Sequence, residues 1–111
     1  MRVLRIKPGE LPESIEIPNE LEALQKEVEG WIECLTINKD VVIICNEEGA
    51  INGSEFNVYV NGHYLFGTIL IAGVCGEEFC DIPSDAEVAY IAAWGITKEA
   101  CDGYRKTGCG I

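Results

Sequence analysis

Val3-Leu4-Arg5-Ile6-Lys7 carries apolar and basic residues with the two-residue period of a half-buried strand. Pro8-Gly9 signals a turn, and Ser14-Ile15-Glu16-Ile17 alternates again, which predicts an N-terminal hairpin. The period then changes. Asn19 offers a helix cap, Glu20 and Glu22 suit the positive end of a helix dipole, and Leu21, Leu24 and Val28 fall on one face. This predicts a helix over about 19–29, with Gly30 placed to stop it.

Trp31 to Ile37 reads as a third strand, and Asn38-Lys39-Asp40 turns the chain into Val41-Val42-Ile43-Ile44-Cys45. That unbroken apolar run has the character of a central strand, and Asn46-Glu47-Glu48-Gly49 leaves the sheet after it. Asn61-Gly62 between Val58-Tyr59-Val60 and His63-Tyr64-Leu65-Phe66 predicts a tight hairpin, followed by a core-like strand over Thr68 to Ala72. Ser84 with Glu87 matches the capping-box rule and opens a helix over about 84–95, with Val88, Ile91 and Ala92 at helical spacing. Thr97 can cap a short last helix over about 97–106, and Gly108-Cys109-Gly110 reads as a frayed end. Trp31, Trp94, Tyr59, Tyr64, Phe66 and Phe79 read as core. The expected class is α+β: a mostly antiparallel sheet of about five to six strands, one early helix and one or two C-terminal helices.

The chain has 111 residues, so a single domain over 1–111 is expected. Lys and Arg number 8 against 19 Asp and Glu, for a formal net charge of −11. Such acidity argues against direct nucleic-acid binding and against anionic membrane surfaces. The strongly apolar stretch Tyr64 to Cys75 is too short for the roughly 20 residues of a spanning helix. Pro8, Gly9 and Glu10 follow the basic N-terminus directly, leaving no apolar leader core, and the expected location is cytoplasmic.

The six cysteines (Cys34, Cys45, Cys75, Cys80, Cys101 and Cys109) then read as reduced structural thiols, with a four-cysteine zinc site as the minor alternative. Cys75-x4-Cys80 and Cys101-x7-Cys109 are the close pairs, and neither has zinc-knuckle spacing. No metal and no cofactor is expected. The sequence also lacks a phosphate-binding Gly-rich loop, a dinucleotide fingerprint and a nucleophile elbow. His63, the sole histidine, reads as a polar turn residue, so no catalytic residue is assigned.

The acidity is uneven. Between Lys39 and Lys98 there is no Lys or Arg, yet the interval holds Asp40, Glu47, Glu48, Glu55, Glu77, Glu78, Asp81, Asp85 and Glu87. A solvated surface that confers solubility is one reading. A face that docks on a basic protein partner, with a fast and salt-sensitive on-rate, is a second. The third is a carboxylate cluster around Glu47 and Glu48 that holds a metal ion or small molecule, or does acid–base chemistry in a small enzyme. The oligomeric state is not encoded in these patterns, a homodimer being one option.

Asn19 to Gln25 followed by Val28, Gly30 and Ile32-Glu33, then Ile44-Cys45-Asn46-Glu47-Glu48-Gly49, Asn52-Gly53 and Asn57, resembles the family called domain of unknown function 3846. Gly67 to Gly73 is similar to a later strand of that family. The resemblance implies a small protein of phages, plasmids and integrative elements. The family has no established activity, so the resemblance supplies no catalytic residues. Asn46, Glu47, Glu48, Gly49 and Asn57 match its polar motif, and with Glu77 and Glu78 they are the candidate binding residues. Their structural reading is that Gly49 supplies a positive φ while Asn46 and Asn57 bond turn backbone. The functional expectation is a non-enzymatic binding protein that presents one coherent acidic patch to a host defence or nucleic-acid-handling protein.

Overall fold

A computed structural model describes residues 1–93 except 50, 52 and 61. The expected helix over 97–106, Trp94, Cys101, Cys109, Asn52 and Asn61 lie outside the described residues. The elements are β1 (Arg2–Ile6), β2 (Glu13–Glu16), α1 (Leu21–Val28), β3 (Ile32–Thr36), β4 (Val41–Asn46), β5 (Phe56–Val60), β6 (His63–Phe66), β7 (Ile69–Cys75) and β8 (Glu78–Cys80). A helix, α2, runs over 84–93. Five strands pair in the order β2-β1-β7-β4-β3, and β8 adds to the end of β7 to complete a six-stranded sheet. Every pairing is antiparallel, and β5–β6 forms a separate hairpin. The α+β class is as expected.

Successive residues of β4 and β7 point to opposite faces, and both faces are covered. On one, Val42, Ile44, Leu70, Ala72 and Val3 pack with Leu24 and Val28 of α1. On the other, Ile43, Cys45, Ile69, Ile71, Leu4 and Ile6 pack beneath Leu65 and Val58 of the hairpin and Ala86 and Tyr90 of α2. Two covered faces explain why β4 and β7 read as continuous apolar runs although they are antiparallel. Each fully buried Leu or Ile contributes about 1.5–3 kcal/mol of burial.

Several local expectations are corrected. Asn19 does not cap α1: its Nδ2 donates to the Phe79 carbonyl at 2.9 Å, and the N-cap position belongs to Glu20, which makes no side-chain cap bond. The left-handed residue that ends α1 is Glu29 (φ 62°), not Gly30. In α2 the buried side is carried by Ala86 and Tyr90, while Val88 and Ile91 are exposed. The Glu87 carboxylate, placed by sequence in a capping box, instead accepts a hydrogen bond from Ser14 Oγ (2.5 Å) and forms an ion pair with Arg2, whose Nε lies 3.2 Å away. No described helix is long and apolar enough to cross a membrane.

Cys75 and Cys80 are joined by a disulfide, which corrects the expectation that all the cysteines are free thiols. The reason is hairpin register. The tight turn at Gly76–Glu77 pairs Cys75 with Glu78 and Gly73 with Cys80, so both sulfurs lie diagonally on one face, with Cα atoms 5.9 Å apart. Gly73 is needed there because a Cβ on it would sit 2.2 Å from the Asp81 carbonyl oxygen.

Candidate functional site

The four residues Asn46-Glu47-Glu48-Gly49 divide into two kinds. Asn46 closes β4 and joins three elements. Its Nδ2 donates to the Val28 and Glu29 carbonyls at 3.0 and 3.2 Å, satisfying acceptors at the end of α1. Its Oδ1 accepts the Glu48 N–H at 2.7 Å, a side-chain turn that fixes the loop. Gly49 does not adopt a positive φ; it is buried because the turn packs on β6, where a Cβ would lie 2.9 Å from the Phe66 carbonyl oxygen. Gly30 is small for a related reason, since its Cβ would stand 2.7 Å from Asn46 Nδ2. Glu47 and Glu48 between these anchors are exposed, and the Glu47 N–H donates to the Trp31 carbonyl at 2.8 Å. The turn is thus held by its Asn and Gly and displays its two carboxylates.

Asn57 has a comparable anchoring role. It sits at a bulge between Phe56 and Val58, and its Nδ2 donates to the carbonyls of Ile6 (2.9 Å) and Gly67 (2.8 Å). It ties the hairpin to β1 and the chain leading into β7.

Glu77 and Glu78 are placed elsewhere. The register Val41↔Gly73 and Ile44↔Leu70 puts the end of β4 beside the start of β7, so the turn at Gly76–Glu77 adjoins the opposite end of β4. There Val74 N–H donates to the Asp40 carbonyl. About 20 Å of strand separates the two glutamate pairs. Of the other acids, Glu87 is paired with Arg2, and Asp81 Oδ1 accepts the Arg2 N–H at 2.8 Å. The acids of the cation-free interval are divided between the ends of the sheet rather than gathered in one patch. Arg5 bridges Glu13 (2.8 Å) and Glu27 (3.1 Å), and these bonds raise its pKa and lower that of Glu13. Among the described residues, no ion pair reaches Glu47 or Glu48.

A cleft of about 190 Å³ opens between the sheet and β6, lined by Glu33, Leu35, Cys45, Glu47, His63 and Leu65 among others. It is smaller than the roughly 300–1,000 Å³ of sites that take drug-sized ligands. A depression of about 480 Å³ beside Phe79 and the Cys75–Cys80 bond is wide open to solvent. Burial, then Glu33 and Cys34, push the Cys45 thiol up to about 11, and its Sγ donates to the Glu33 carbonyl at 3.6 Å. Cys34 is pushed up by burial and by Glu33. Such thiols are poor nucleophiles at neutral pH. Among the described residues no group of three or more His, Cys, Asp or Glu is arranged to hold a metal ion.

The feature missed in the sequence is aromatic. In the hairpin Val58 and Leu65 turn to the sheet, which sends Tyr59 and Tyr64 outward. Tyr59 and Tyr64 ring centroids lie 4.7 Å apart, Phe56 and Phe66 5.6 Å, and Phe56 and Tyr64 6.3 Å, forming one continuous stripe. Tyr64 is 68% exposed, Tyr59 55% and Phe56 46%, so these rings are not core; nor is Trp31 at 68%. The available signal was the alternation itself: an isolated two-stranded hairpin covers one face and leaves the other outside.

Residues 1–95 match the model of the family described as Domain of unknown function (DUF3846). No curated protein and no solved structure matches the chain. With most of its length matched, including the anchored turn and the hairpin, this chain belongs to the DUF3846 family.

Proposed function

We propose that this chain is a non-enzymatic binding protein that docks a basic protein partner on its Glu47–Glu48 side. The observation that carries the reading is the turn itself. Two exposed carboxylates without an ion-pair partner among the described residues are held by Asn46 and Gly49 against the end of an exposed aromatic stripe. Exposed aromatic rings are enriched in protein–protein interfaces, and charged groups beside them steer and orient a partner of opposite charge. In this reading the protein belongs to a phage or mobile element and meets its partner, a host defence or nucleic-acid-handling protein, in the cytoplasm; the resemblance carried by the polar motif supports it. The alternative is a small ligand held by carboxylates around Glu47 and Glu48. It draws on the 190 Å³ cleft, which Glu33 and Glu47 line.

Capture of partners from host lysate at two salt concentrations tests the proposal. Wild type is compared with Glu47→Lys/Glu48→Lys and with Glu77→Lys/Glu78→Lys at the opposite end. The expected result is a complex that weakens with salt, is lost with the first variant and survives the second. A salt-insensitive complex, or equal loss with both variants, overturns it.

A further inference from the structure

We infer that the partner presents arginine, rather than cationic side chains in general, to the aromatic stripe beside the acidic turn. This rests on the docking proposed above and names what the same face recognises. Tyr59, Tyr64 and Phe56 stand exposed in mutual ring contact on the outer side of β5–β6. Contiguous exposed aromatic surface of this kind marks an interaction site.

The stripe is continuous with the acid. Gly49 packs against the backbone of Phe66 at one end of the stripe, so the Glu47–Glu48 turn adjoins the rings. On the other side of the turn, the Glu47 N–H is bonded to the carbonyl of Trp31, whose side chain is 68% exposed. The acidic turn thus borders the Phe66 end of the stripe, Glu47 shares a cleft lining with Tyr64 and Phe66, and β5–β6 carries no Lys or Arg.

That pairing of chemistries selects among occupants. An anionic or nucleic-acid ligand meets like charge, and a neutral apolar partner leaves Glu47 and Glu48 unused. An ammonium pairs with carboxylate but is compact and strongly hydrated. A guanidinium is planar and less tightly hydrated, stacks on aromatic rings and bonds a carboxylate through two N–H groups at once.

The test uses three blocked octapeptides, (Arg-Gly)4, (Lys-Gly)4 and (citrulline-Gly)4, titrated into the full chain at physiological salt. The arginine peptide is expected to bind severalfold tighter than the lysine peptide, because guanidinium stacks on the rings and is less tightly hydrated than ammonium. The citrulline peptide, planar but uncharged, is expected to bind far more weakly than either. Tyr59→Ser/Tyr64→Ser lowers the arginine-to-lysine ratio, weakening the arginine peptide more than the lysine peptide. Tyr59→Leu/Tyr64→Leu, which keeps the apolar bulk, does the same if the serine variant fails to fold. Glu47→Lys/Glu48→Lys weakens both charged peptides alike.

A wild-type ratio near one, or a ratio undiminished by loss of both tyrosines, overturns the arginine inference. If charge reversal still weakens both peptides in that case, acidic docking stands without it. If charge reversal leaves both affinities unchanged, the docking proposal fails as well.

Discussion

Replacing Asn46 by alanine separates the structural from the displayed part of the motif. The substitution removes two bonds to the carbonyls of Val28 and Glu29 and one from the Glu48 N–H. A typical protein hydrogen bond contributes about 0.5–1.5 kcal/mol net, so the three together set a range of about 1.5–4.5 kcal/mol. Two of the bonds are exposed, and water can replace them in part. The expected loss is therefore about 2 kcal/mol. At this chain length that lowers Tm by roughly 8–12 °C. Urea unfolding followed by far-UV circular dichroism is the assay. The midpoint should fall with an unchanged m-value, since the unfolded surface is the same. Glu47→Gln and Glu48→Gln serve as controls and should stay within about 0.5 kcal/mol of wild type. Asn46→Asp keeps the acceptor for Glu48 N–H but sets a carboxylate against two carbonyls, and should cost at least as much as alanine. The reasoning is refuted if Asn46→Ala costs under about 0.5 kcal/mol, or if either glutamate control costs as much as Asn46→Ala.

Other consequences follow from single positions. Glu29→Gly should raise stability by about 0.5–1 kcal/mol, because it relieves a left-handed residue and removes an acid from the negative end of α1; a lower Tm would contradict the cap geometry. Gly73→Ala should cost about 2 kcal/mol or more by forcing Asp81 away from β7, read as a lowered urea midpoint, and unchanged stability would refute the close approach. Glu33→Gln should shift the pH of half-maximal alkylation of Cys45 and Cys34 downward, since it removes a negative charge that opposes both thiolates, as followed by peptide mass mapping. The raised Cys45 thiol gives a pH sign as well. The native state holds that proton more tightly than the unfolded chain, so its contribution to stability is complete below about pH 8.5. It is lost as pH rises toward about 11. Urea midpoints at pH 7.5 and 10 should therefore fall less in Cys45→Ala than in wild type.

What the sequence made legible was governed by local pattern. β4 and β7 announced themselves because covering both faces leaves no polar position to interrupt them. α1 was visible from Leu24 and Val28, although its capping was not, because Asn19 finds its partner sixty residues away at Phe79. Asn46 could be read as a turn residue, while its reach to the end of α1 depends on where β4 stops beside that helix. The separation of Glu47–Glu48 from Glu77–Glu78 follows from strand register, which local period does not specify. β8 is three residues long and carries too little pattern to stand out. The hydrophobicity of Tyr59, Tyr64 and Phe66 points to the core but says nothing about which hairpin face is covered; the smaller Val58 and Leu65 fill that role.

The most direct measurement is a residue-by-residue map of amide chemical shifts as (Arg-Gly)4 is titrated into the isotope-labelled chain at physiological salt. Docking at one end predicts changes concentrated at Trp31, Glu47 to Gly49 and the hairpin from Phe56 to Phe66, with residues 76–81 unmoved. Comparable changes around Glu77 and Glu78, or silence at Glu47 and Glu48, would show that charge alone attracts the peptide and that the anchored turn is no binding site.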